Sequence, residues 1–244
     1  MNTAEMHTVE KHAAEKHAAE NQALRTAVAL AGPAPQGEAT HWAAEVLRRG
    51  ITAGRLLPGT KLSEARVSEV LGISRNTLRA AFAALADENL LTRIPHRGVF
   101  VARPGADEVR EVHRVRLALE TSALRWAEPA PQPELHAAVE DGRAARERGD
   151  VPGMADANQR FHRAVVALAG SARQDELMAR ILAEMRLVFF SMREDPSFHE
   201  PYIERNARVL ELFEAGRRQE AAAAMEEYLR DSRDQLLAAL GAGR

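Results

Sequence analysis

The chain contains no cysteine, so it can form neither a disulfide framework nor a thiolate metal site, and nothing favours an oxidising compartment. The expected location is a reducing cytoplasm. Aromatic residues are scarce, with two Trp, two Tyr and seven Phe in 244 residues, while the strong helix formers Ala, Leu, Arg and Glu dominate. That balance predicts a mainly helical protein. No stretch approaches the ~20 uninterrupted apolar residues of a membrane span, and the opening MNTAEMHTVEKHAAEKHAAEN carries charge without the apolar run of a secretory signal. No membrane partner is expected.

A large net charge is also missing, which argues against a protein coated with basic surface. The whole-chain value of −2 nevertheless conceals a split. Residues 41–102 hold nine Lys/Arg (Arg48, Arg49, Arg55, Lys61, Arg66, Arg75, Arg79, Arg93, Arg97) against five acids, a net of +4, so the remainder carries −6. A basic module joined to an acidic one implies that only the first meets a polyanion.

Residues 1–37 contain the near-repeat EKHAAEKHAAEN and a Gly-Pro-Ala-Pro stretch that stops any helix, so they are expected to be a flexible or frayed helical extension. His7, His12 and His17 recur every five residues, about 140° apart on a helix, and share no face for a metal. From His41 to Leu56 an amphipathic helix is expected to run into the turn dipeptide Pro58-Gly59. Ser63 then offers an N-cap for a short helix that Gly72 ends, and Ser74 caps the next. In that helix Leu78, Phe82 and Leu85 fall at i, i+4 and i+7 and make the buried stripe, while Arg75, Asn76 and Arg79 point away. The segments TRI and VFVA, separated by PHRG, read as a two-stranded wing and as the only strands. This order, within residues 38–102, is the outline of a winged helix-turn-helix.

Beyond it, residues 103–244 read as six helices, roughly 106–127, 133–149, 152–169, 173–193, 200–215 and 217–240, joined by short connections into an antiparallel bundle. The expected fold class is therefore mainly α, an N-terminal winged helix-turn-helix followed by an all-α antiparallel helical bundle.

Reading a major groove requires an exposed helix with bidentate donors in its first turn and an apolar back. Arg75, Asn76, Thr77 and Arg79 meet that requirement. Backbone N–H groups at Ser74 can hold a phosphate. The alternative, a solvated helix face, is weakened by the upstream PGTKLSEARVSEVLG, the wing and the local positive charge.

On these residues, 41–102 resemble the DNA-binding domain of the GntR family, whose pattern is an apolar first helix, a PG turn, LxE, then GVSRxxVRxALxxLxxEGLL and a Gly-bearing wing. The resemblance implies DNA contacts by Arg66, Ser74, Arg75, Asn76, Thr77 and Arg79, and by His96, Arg97 and Gly98 at the wing tip near the minor groove. Asn89 stands where the family has Gly, a position Asn tolerates as a left-handed C-cap. An Arg of the fatty-acid branch is replaced by Ala65, which leaves Arg66 as contact or as plain surface charge.

Residues 107–240 resemble the FCD-type ligand-binding domain of the FadR branch, through VRLALE (115–120), NQRFH (158–162) and NARVLELFEAGRRQEAAAAMEEYL (206–229). Many members hold a divalent metal with an Asp four residues before the His of FH, that His and two later histidines. Here the four positions read Asn158, His162, Asn206 and Tyr228, a poor metal set, so no cofactor is expected. The four are expected to line a polar pocket for a small organic effector, with Arg116 either meeting an effector carboxylate or pairing with Glu120 at i+4. His162 read alone is alternatively a core histidine satisfied by a carbonyl. Asp156 projects elsewhere and His199, beside Pro196 and Pro201, is expected to be exposed.

The function implied is a sequence-specific DNA-binding regulator, a homodimer on a double-stranded operator, expected to be a repressor released by a small organic effector bound in the helical domain. An enzyme is not expected: the only Glu-x-x-His spacing, Glu38 to His41, lies outside the bundle, and no phosphate loop or nucleophile elbow is present. A ligand-free structural DNA-binding protein is the remaining rival.

Overall fold

Apolar residues at helical spacing make α1 (Ala39–Thr52), which buries Trp42, Val46, Leu47 and Ile51. In the computed structural model, which describes residues 22, 24–30, 32–35, 37–128, 131–190 and 195–242, the chain forms two compact units divided between Arg103 and Pro104. Among the described residues no helix is long and apolar enough to cross a membrane.

The first unit continues with β1 (Lys61–Leu62), α2 (Glu64–Leu71), α3 (Arg75–Asp87), β2 (Leu91–Ile94) and β3 (Gly98–Val101). The helix expected to reach Leu56 ends at Thr52, because Gly54 turns the chain at φ 68° and the Arg55 and Leu56 N–H groups both fold back to the Gly50 carbonyl. Gly72 takes the left-handed C-cap of α2, φ 65°, and Ser74 caps α3 by accepting from the Thr77 N–H. Leu78, Phe82 and Leu85 are fully buried and form the back of α3, as their spacing requires. Asn89 adopts φ 57°, the conformation for which Asn substitutes for Gly.

The wing is not two-stranded. β1 joins it, giving the antiparallel order β1-β3-β2 with Lys61 opposite Phe100, Leu62 opposite Val99 and Thr92 opposite Phe100. Two residues cannot display a strand period, so only the pairing reveals this strand. A second departure lies upstream, in the stretch expected to be a flexible extension. Residues 24–30 are helical, with Leu24 3% and Ala27 1% exposed. A Cβ on Gly50 would lie 3.9 Å from that of Ala27, and the Trp42 indole N–H donates to the Gly32 carbonyl at 3.1 Å. Leu24 and Ala27 are therefore part of this unit's core, Ala27 lying against α1 at Gly50. His7, His12 and His17 lie outside the described residues.

The second unit is wholly helical: α4 (Ala106–Trp126), α5 (Pro133–Glu147), α6 (Val151–Ala167), α7 (Ala172–Phe189), α8 (Pro196–Glu214) and α9 (Arg218–Ala242). α6 packs against α4, α5, α7 and α8, and the first helix, α4, lies along the last, α9. Starts are marked by side chains at the caps: Glu108 reaches back to the Gly105 N–H, and Asp150 and Asp195 accept from Gly153 and Ser197.

One boundary differs materially from the sequence expectation. α8 begins at Pro196 rather than near 200 and runs through Pro201. Proline at the first position costs nothing, since that N–H has no helical partner, and Pro201 forfeits one bond only. The extra turn places His199 beside Phe198, Tyr202 and Asn206 on the inner side of α8, where it is 5% exposed rather than exposed as expected.

Leu24→Ala should lower the stability of the first unit by about 2 kcal/mol through the cavity left where the buried side chain stood. Chemical denaturation followed by Trp42 fluorescence checks this, because the other tryptophan, Trp126, is already 80% exposed and contributes little change.

Candidate functional site

The first candidate site is the exposed edge of α3 with the wing. Ser74, Arg75, Asn76 and Arg79 are exposed and Thr77 partly so, while the opposite side of the helix is docked in the core. Ser74 Oγ accepts the Thr77 N–H at 3.1 Å and is hydrogen-bonded to Thr77 Oγ1 at 2.8 Å, which fixes the first turn. Arg79 Nε donates to Glu64 at 2.9 Å, across from α2, with half of the Arg79 side chain exposed. Such a pair contributes little in water, so the guanidinium stays available. Arg48, by contrast, is bound to Glu88 at 2.6 Å and also to Glu45, tying α1 to the end of α3.

At the wing tip the Arg97 N–H closes a turn onto Ile94 O at 3.1 Å. His96 sits at φ 60° and Gly98 at φ 108°. The turn leaves His96, Arg97 and Gly98 exposed, and Gly98 acts through its backbone, since a Cβ there would crowd the Lys61 side chain. Sequence reading missed Lys61. Through β1 it comes over the Phe100 ring at 6.0 Å, matching Arg97 at 5.8 Å, so both cations stand on the wing. Arg66 is half-buried and lines a cleft with Arg25, Glu69 and Val70. Its helical position, about 160° from Glu64, sets it apart from the α3 edge.

The second candidate site is a buried polar seam in the helical unit. Arg116 and Glu120 on α4, Asn158 and His162 on α6, Asn206 on α8 and Tyr228 on α9 are connected in series. Arg116 Nε donates to Glu120 Oε1 at 2.8 Å, and Glu120 Oε2 lies 2.6 Å from His162 Nδ1. His162 Nε2 is 3.0 Å from the Tyr228 hydroxyl, and Asn158 Oδ1 is 2.8 Å from both that hydroxyl and Asn206 Nδ2. All but Asn158 are less than 5% exposed. The structure thus brings together Arg116, Asn158, His162, Asn206 and Tyr228. Arg116 makes the ion pair that was one of its two readings, and the partner of His162 is a carboxylate rather than a carbonyl. Asp156 pairs with Arg186 instead.

Electrostatics define the seam's charge. Burial pushes the Glu120 carboxyl up, but Arg116 and His162 together outweigh it and hold the group below the ordinary carboxylate value. Burial, reinforced by Arg116, lowers His162 despite Glu120, and burial raises the Tyr228 phenol. A divalent metal does not suit this set. Both imidazole nitrogens are engaged, the neighbours are two amides and a phenol that holds its proton, and among the described residues no three His, Cys, Asp or Glu side chains gather.

Residues 41–101 match the sequence profile of the bacterial regulatory proteins of the gntR family, and residues 111–231 match the FCD domain. A solved transcriptional regulator of the GntR type from Rhodococcus sp. RHA1 shares 33% identity at a TM-score of 0.75, covering 82% of this chain and 97% of its own. The chain belongs to the GntR family. It is a DNA-binding transcriptional regulator with an FCD domain. An uncharacterized HTH-type transcriptional regulator in the TAR-I ttuE-ttuC' intergenic region of Agrobacterium vitis is 31% identical over 50% of this chain and 76% of its own length. The HTH-type transcriptional repressor RspR of Escherichia coli (strain K12) is 30% identical over 51% of this chain and 56% of its own.

In this GntR-family FCD domain one further buried group, His113, went unnoticed in the sequence. It is 4% exposed, its Nδ1 lies 2.8 Å from the Val109 carbonyl, and burial, followed by the Arg116 charge, lowers its pKa to about 4. Below pH 6.5 the unfolded chain therefore takes up a proton that the folded one refuses until about pH 4, so stability falls as pH drops through that window. The loss from this group amounts to about 3 kcal/mol at its lower end. His113→Gln should flatten the pH dependence of urea denaturation across the window, and an unchanged slope would assign the effect elsewhere.

Proposed function

We propose that this regulator is a homodimeric repressor whose operator affinity is lowered by a small organic effector received in the polar seam, without a metal cofactor and without catalysis. The observation that carries the reading is the geometry of α3: a polar first turn, fixed by its Ser74 cap and open to solvent, on a helix whose back is wholly docked. That is the arrangement a major-groove reader needs. Arg75 and Arg79 are assigned to guanine edges or phosphates, Asn76 to adenine or phosphate, Ser74 and Thr77 to a phosphate at the helix start, and His96 and Arg97 to the minor groove at the wing. Arg66 is assigned to DNA by the family resemblance, and Lys61, standing on the wing, is assigned to a phosphate.

Two such units on one operator imply half-sites related by the dimer's two-fold axis. The repressor sign is supported by the relative RspR, which is named a repressor. For the effector, the support is the seam itself: the outer amide atom of Asn206 and the Arg116 Nη2 are buried without a hydrogen-bond partner, a costly state that a polar ligand would relieve. The effector acts by binding the DNA-incompetent arrangement more tightly, and its effect is limited by that difference.

Arg75→Ala and Arg79→Ala are each expected to cost about 1–3 kcal/mol of specific operator binding, against a smaller and sequence-independent loss for Lys61→Ala. Operator fragments selected from genomic DNA by the purified protein supply the probe for mobility-shift or anisotropy titrations. Unchanged affinity in both arginine variants would defeat the reading. The triple change Asn158→Asp, Asn206→His and Tyr228→His should create zinc affinity measurable by calorimetry, as the four positions converge; no gain would count against the seam as the counterpart of the family's ligand site.

A further inference from the structure

The contacts of the seam run in series, Glu120 to His162 at 2.6 Å, His162 to Tyr228 at 3.0 Å, and Tyr228 and Asn206 to Asn158 at 2.8 Å each. Tyr228 has one proton to give, so the chain can run in only two directions. In the first, His162 Nε2–H donates to the Tyr228 oxygen, Tyr228 donates to Asn158 Oδ1, and Asn206 donates to the same atom, leaving the Asn206 carbonyl outermost. In the second, His162 Nδ1–H donates to Glu120 and Tyr228 donates to the bare Nε2. The Asn158 amide is then turned so that its N–H2 serves the Tyr228 and Asn206 oxygens, and the Asn206 N–H2 is outermost. The heavy-atom positions are the same in both, because amide oxygen and nitrogen exchange places.

Glu120 decides between them. A carboxylate only accepts, and at 2.6 Å from Nδ1 it demands a proton there. Its other oxygen takes the Arg116 Nε–H at 2.8 Å, so a guanidinium stands against its protonation. The first direction would then need a second proton on His162, an imidazolium at 1% exposure in the neighbourhood of Arg116, and burial together with that cation opposes it.

We infer that Glu120 is the positioning residue of the seam: by accepting from His162 Nδ1 it sets the direction of the whole hydrogen-bond chain, so that Asn206 presents an amide N–H2, not a carbonyl, as its free outer group. That outer atom has no partner, and Asn206 is 4% exposed. Resting on the reading that the seam receives the effector, the effector group meeting Asn206 is a hydrogen-bond acceptor. An analogue offering only a donor at that point leaves two donors facing each other and loses affinity.

The direction is measured without any effector. In full-length protein labelled with 15N-histidine, the imidazole nitrogens of His162, identified by their loss in His162→Gln, should show a proton on Nδ1 and a bare Nε2 at neutral pH. Glu120→Gln keeps the size of the side chain; its oxygen stays with Arg116, its N–H2 faces Nδ1, and the proton should move to Nε2. A purely space-filling role for Glu120 predicts no such exchange. An Nε2–H tautomer or an imidazolium in the wild type overturns the inference on its own, whether or not the variant folds, and so does an unmoved proton in a folded Glu120→Gln. If the tautomer is as stated and metabolite extracts leave operator affinity unchanged, the effector reading fails while the direction of the chain stands.

Discussion

A carboxylate at zero exposure is the constraint around which the helical unit is built. An isolated charge there would cost several kcal/mol, and Glu120 is tolerated because Arg116 answers it from the same helix and His162 from α6. The consequences spread outward. His162, bound on one side, passes its second nitrogen to Tyr228 on α9, and Tyr228 meets the amides of α6 and α8. Helices that are distant in sequence are thereby held by polar contacts within a core otherwise made of Phe161, Phe213, Leu124 and Met225. Apolar packing tolerates sliding and exchange of volume; directional hydrogen bonds between α4, α6, α8 and α9 tolerate less, so the seam restricts how these helices can shift against one another.

The same network argues, by its chemistry, against the metal that the family resemblance implies. An imidazole can ligate a metal through one nitrogen while the other is held by a carboxylate. Here the nitrogen opposite Glu120 is occupied by a phenol whose proton burial retains, and the remaining two family positions are amides. The positions converge as a ligand set would, yet their chemistry is that of a hydrogen-bonding site.

In the DNA-binding unit the constraint is reversed, since the polar groups have to remain outside. The basic residues divide accordingly. Arg48 and Arg49 are engaged with Glu45, and Arg48 with Glu88, so they serve the scaffold. Arg75 and Arg97 are left outward, and Arg79 is held only by an exposed pair with Glu64. A net of +4 over residues 41–102 identified the module that meets a polyanion but not which charges do so. That distinction depends on acids contributed by α1, α2 and the end of α3.

Local rules made much of the architecture legible. Gly72, Ser74 and the Leu78, Phe82, Leu85 spacing gave the turn and the reading helix, because caps and periodicity act within a few residues. The six helices of the second unit were readable for the same reason. The start of α8 was not: two prolines look like a stop when taken one at a time, whereas one of them is a favourable first residue, and the burial of His199 followed from that turn. β1 is too short to carry a pattern and exists through partners nearly forty residues away. The core role of Ala27 needed α1 to pack against. The sequence by itself determined which polar residues lie on the open side of α3 and that Asn158 and His162 share a face of α6, since side-chain chemistry and helical phase are local. Only the tertiary structure decided that Lys61 joins the wing and that Glu120 anchors the seam, since pairing and burial depend on segments the chain brings together from afar.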